Sequence, residues 1–88
     1  MEKEQGSFML SETVEAQLAG NGITDVSEVA LREALEERVE TYTLIKLAAW
    51  PARRWKCAYR LMMGEGMYDA QSAAEAYALA LLSTFAAK

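Results

Sequence analysis

Few residues of this chain could act on a covalent bond. Cys57 is the only cysteine, and there is no histidine among the 88 residues. A thiol becomes a nucleophile when a base or a positive field draws off its proton, and no imidazole exists here to do so. Cys57 therefore reads as a small apolar side chain for a core or an interface. The same composition cannot supply a thiolate and imidazole zinc site within one chain. The glycines of "GEG", Gly64 to Gly66, lack the lysine and spacing of a phosphate loop, and Glu65 would repel phosphate. No carboxylate pair converges for acid and base work. The expectation is a protein that is not an enzyme and needs no cofactor and no metal.

What remains is charge at helical spacing. Glu33, Glu36, Glu37 and Glu40 hold four like-charged pairs three or four residues apart, each costing about 0.2 to 0.5 kcal/mol in an isolated helix. Arg32 and Arg38 offset only part of that. Such a run is either a solvated helix face or a negative surface kept for a basic partner. The opposite sign is concentrated in "AAWPARRWKCAYRLMM", residues 48–63, which holds no acid, four bases and three large aromatics. On a helix Ala52, Trp55, Tyr59 and Met62 share one face, with Arg53, Lys56 and Arg60 beside it. That phase makes the aromatics core residues rather than a stacking platform for single-stranded nucleic acid. Residues 1–45 carry net −7, residues 46–60 net +5 and residues 61–88 net −2. The acidic whole disfavours direct nucleic-acid binding and attachment to anionic lipid.

Four helices would position these groups. The first runs from Ser11 to Ala19, with Ser11 as cap and "GNG", Gly20 to Gly22, as an exit that tolerates positive φ. The second opens at "TDVSEV", where Asp25 and Glu28 have capping-box spacing, and carries the stripe Leu31, Leu35, Val39 and Tyr42. It becomes apolar all round through Leu44, Leu47 and Trp50 and ends or kinks there, because Pro51 pushes the residue before it out of helical geometry. The third spans Pro51 to Met63 and stops at Gly64. The fourth starts at Asp69, with a stripe of Tyr77, Leu81 and Phe85 and a small face of Ala73, Ala76 and Ala80 that admits a close neighbour. With no clear alternating run, the predicted fold class is all-α, a small bundle of about four helices.

At this length one domain is expected, residues 8–88, behind a loose segment 1–7. Hydrophobic residues are 52% and charged residues 25%, as in soluble globular domains. "MEKEQGS" lacks the order of a signal peptide, no uncharged run approaches the ~20 residues of a membrane span, and a lone thiol suits a reducing compartment. The reading is cytoplasmic. So short a chain buries only about 60 to 65% of its surface, which favours a homo-oligomer, a dimer, formed through Leu44, Leu47, Trp50, Ala73, Ala76 and Ala80.

"FMLSETVEAQLAGNGITDVSEVALREALEE", Phe8 to Glu37, resembles the strand, helix and helix of ribbon-helix-helix repressors, above all in "DVSEVALREAL". That family pairs an N-terminal strand in a dimer and sets polar side chains in the DNA major groove, so the resemblance implies Lys3, Gln5 and Ser7 in that role. It covers about a third of the chain, and a glycine within the strand, a short interhelical loop and an excess of acids depart from the pattern.

The functional expectation is a small acidic protein-binding module or inhibitor, of the kind a phage or mobile element encodes. It would mask a basic surface of a nucleic-acid-processing partner through Glu33, Glu36, Glu37 and Glu40, with Arg53, Lys56 and Arg60 as a second contact set. The alternatives are a DNA-binding regulator of ribbon-helix-helix type and a structural subunit that acts by self-association.

Overall fold

In the computed structural model, residues 12–47 and 57–86 are described. Among the described residues, three helices and three strands follow in the order α1 Glu12–Gly20, α2 Glu28–Arg38, β1 Thr43–Lys46, β2 Tyr59–Met63, β3 Gly66–Ala70 and α3 Ala73–Ala86. The strands form an antiparallel sheet in the order β1-β2-β3. The fold is thus α+β, and the all-α four-helix bundle is corrected.

Local chemistry sets the helix ends. Helix α1 closes on Gly22, whose φ is +88°. The Gly22 N–H donates to the Ala19 carbonyl and the Ile23 N–H to the Leu18 carbonyl, so two carbonyls of the last turn are satisfied. Helix α2 is capped by Ser27 rather than Asp25: Ser27 Oγ accepts from the Ala30 N–H at 3.2 Å, and Asp25 Oδ1, two residues before the cap, accepts from the Ser27 N–H. The helix stops at Arg38, because Val39 is extended at φ −130°, ψ 151°. Beyond it Val39, Thr41, Tyr42, Thr43 and Ile45 are β-branched or aromatic, which favours a strand over the expected continuation to Trp50.

The expected third helix is corrected as well. Its last five residues, Tyr59–Met63, are the central strand, paired with Lys46–Thr43 on one side and Ala70–Gly66 on the other. Trp50, Arg53 and Lys56 lie outside the described residues. Gly64 does adopt positive φ, +58°, but in a two-residue hairpin turn between β2 and β3 rather than in a helix cap. Asp69, expected as a helix cap, is a strand residue. The cap of α3 is Ser72, whose Oγ accepts from the Glu75 N–H, while Glu75 Oε1 accepts from the Gln71 N–H.

Alternation sends Leu44, Tyr59, Leu61, Met63, Tyr68 and Ala70 to one side of the sheet. That side packs on the core, in which Leu18, Leu31, Leu35, Leu61 and Leu81 are fully buried. Helix α3 supplies Ala76, Tyr77, Ala78 and Ala80 to the same core and touches α1, α2, β2 and β3. Thr43, Ile45, Arg60, Met62, Met67 and Asp69 fall on the other side, where Met67 is 56% exposed. No helix among the described residues is long and apolar enough to cross a membrane.

Gly64 meets no neighbour where a Cβ would stand, so Gly64→Ala tests backbone conformation alone. It should lower unfolding free energy by about 1 to 2 kcal/mol in a urea titration. At Gly66 a Cβ would run into the Tyr68 ring and hydroxyl. Gly66→Ala should therefore cost less in a Tyr68→Ala background than in the wild type, and equal costs would contradict this packing.

Candidate functional site

The buried Leu31 and Leu35 fix the rotation of α2, and the opposite side of the helix must then face water. Glu33, Glu36 and Glu37 stand there, all exposed, and Glu40 follows in the extended segment after the helix, also exposed. Sequence spacing had grouped these four on one helix; Glu33, Glu36 and Glu37 are in α2, and Glu40 lies beyond its end. Glu33, Glu37 and Glu40 form no ion pair with any described residue. Glu36 is engaged: its Oε2 accepts from the Tyr42 hydroxyl at 2.6 Å. Burial first, and then this bond to a carboxylate, push the Tyr42 hydroxyl well above its ordinary pKa. The Tyr42 ring meets Tyr77 edge-on with centroids 5.9 Å apart, so the acidic face is tied to α3.

The second expected set is not assembled on one helix. Arg60 is a strand residue, and its guanidinium donates twice to Asp69 across the β2–β3 pair, Nε to Oδ1 at 2.8 Å and an Nη to Oδ2 at 3.1 Å. This bond to Arg60 holds the Asp69 carboxyl below its ordinary pKa, against a smaller opposing effect of burial, and the same bond holds Arg60 above its own. The residues expected at a self-association surface are dispersed. Leu44 faces the core side of β1, Leu47 is half-buried just past it, and Ala73 is half-buried in the first turn of α3. Ala76 and Ala80 are fully buried within the chain. Cys57 is a half-buried free thiol.

Arg38 draws together residues that sequence spacing could not link. Its Nε donates to Thr84 Oγ1 at 2.6 Å, and its guanidinium carbon lies 4.1 Å from the centroid of the Phe85 ring. Thr84 in turn donates to the Leu81 carbonyl at 2.6 Å, which leaves its oxygen free to accept from Arg38. Beside this clamp lies an open cleft of about 680 Å³ between the end of α2, the second half of α3 and the β2–β3 hairpin. Glu37, Val39, Met63, Tyr68 and Ser83 complete its walls. Among the described residues, no group of three or more histidine, cysteine or acidic side chains is placed to hold a metal ion.

No family model matches the chain, and neither the curated proteins nor the solved structures contain a match. The two helices of the repressor-like stretch stand at Glu12–Gly20 and Glu28–Arg38, while Lys3, Gln5 and Ser7 lie outside the described residues.

The Arg60–Asp69 pair gives a pH signature. A depressed aspartate pKa adds stability that is fully present above the ordinary value of about 4 and is lost as pH falls through the lowered folded value. Asp69→Asn should reduce stability at pH 7 in urea unfolding. Its deficit should shrink below about pH 4, and also in high salt because the pair is partly exposed.

Proposed function

We propose that the chain is a non-enzymatic protein-binding module that sets the carboxylates of α2 against a basic surface of a partner, such as the nucleic-acid groove of a processing protein. One observation carries this reading. Glu33 and Glu37 are exposed one turn apart with Glu40 close behind, and no described basic residue neutralises them. A helix that repels itself gains from a ligand of opposite charge. The leucines on its other side and the tie through Tyr42 hold the helix in place, so the backbone that carries Glu33 and Glu37 is set before the partner arrives.

Native purification of the protein with its associated macromolecules tests the idea, in parallel with the Glu33→Gln/Glu37→Gln/Glu40→Gln variant. A basic protein should co-purify with the wild type, dissociate as salt is raised, and bind the variant at least about tenfold more weakly. Retention of the same protein by the variant would refute the role of the carboxylates. Direct binding of duplex DNA by the wild type, falling steeply with salt, would refute the module and point to a regulator that contacts DNA itself.

A further inference from the structure

We propose that the cleft beside Arg38 binds the C-terminal carboxylate of a polypeptide whose last residue is apolar. The inference does not require a partner on the acidic surface of α2, although Glu37 borders both, and it begins with how Arg38 is held. A free arginine side chain must give up much rotamer entropy to form a two-pronged bond to a carboxylate. Here that ordering is already in place. Thr84 fixes Nε, the Phe85 ring supports the guanidinium face, and the Thr84 hydrogen is committed to the Leu81 carbonyl. The two terminal nitrogens of Arg38 make no hydrogen bond to any described residue. They are donors in fixed geometry at the wall of a cleft of about 680 Å³. A planar carboxylate matches such a fork.

The other walls narrow the choice of ligand. Ser83 Oγ donates to the Ala80 carbonyl at 2.6 Å, so it too presents an acceptor oxygen, and the Glu37 carboxylate adds a second acceptor. A small anion alone would meet Glu37 unfavourably and would bring these acceptors no donor. A terminal peptide residue offers an amide N–H next to its carboxylate, a second donor for these acceptors beside the Tyr68 hydroxyl. Val39 and Met63 give its side chain an apolar wall, and methionine adapts to different shapes.

The test is an NMR titration of the whole chain with N-acetyl-leucine, with N-acetyl-leucinamide and with inorganic phosphate. N-acetyl-leucine should shift the Arg38 side-chain N–H, Ser83 and Thr84 signals saturably. The amide, which lacks the carboxylate, should bind at least about tenfold more weakly. Arg38→Lys keeps the charge without the fork and should weaken N-acetyl-leucine by a similar factor. Thr84→Val, which frees Nε, should weaken it less, while Thr84→Ser should bind as the wild type does. The absence of saturable shifts, equal binding of the amide, or unchanged binding by a folded Arg38→Lys would each overturn the proposal. Phosphate binding as tight as that of N-acetyl-leucine would also overturn it, by making the cleft a general anion site. The comparison of acid and amide is made on the wild type, so it stands whether or not a variant folds.

Discussion

Helix α3 buries Ala76, Tyr77, Ala78, Ala80 and Leu81, residues that point in more than one direction around its axis, and this two-sided burial sets the position of α1, α2, β2 and β3. The sheet packs on it through Leu61, Tyr68 and Ala70, and α1 and α2 through Leu18, Leu31 and Leu35. None of these elements has a core of its own. Full burial of a leucine contributes roughly 1.5 to 3 kcal/mol, so five of them around one helix weigh heavily in a domain whose net stability is of order 10 kcal/mol. The small side chains of Ala76 and Ala80 let the neighbouring backbones come close. The outward rotation of α2, and with it the placement of Glu33 and Glu37, follows from the same contact.

Features governed by a few neighbouring residues were legible in the sequence. The exit of α1 at Gly22, the burial of Leu31 and Leu35, and the acidic run opposite them all depend on chemistry within a turn or two. The strands were not legible, because four or five residues are too short to separate the two periods. Tyr59 and Met62 lie three apart as a helix requires, yet Tyr59, Leu61 and Met63 lie two apart as a strand requires. The positive φ of Gly64 was a correct backbone inference attached to the wrong element, since a helix cap and a hairpin turn ask the same of a glycine. Val39 and Tyr42 extended the α2 stripe by spacing while their side-chain types favoured extended backbone. Of the candidate sites, the α2 carboxylates could be seen because they are local. The clamp of Arg38 on Thr84 joins residues 46 apart, and only the packing of α2 on α3 brings them together.

The charge distribution takes on a different meaning in this fold. Read linearly, the chain has an acidic first half and a basic centre. Folded, the acids of α2 and the Arg60–Asp69 pair sit on different layers, the first on the helical side and the second on the far face of the sheet. The pair neutralises itself in the midst of Ile45, Met62 and Met67, which interrupts a largely apolar strand surface. Arg38 and Glu37, adjacent in sequence, mark the border between the acidic helix face and the cleft.

The order of the elements along the chain has a consequence for how the protein is made. Leu18, Leu31 and Leu35 all precede the helix that buries them, and Leu81 is added fifty residues after Leu31. At about 5 to 20 residues per second, a ribosome takes roughly 2 to 10 s to cover that interval. Until that interval ends, α1 and α2 lack the surface that buries their leucines, and neither helix is long enough to persist alone. The buried state of Leu18, Leu31 and Leu35 is therefore completed last, when α3 closes the core.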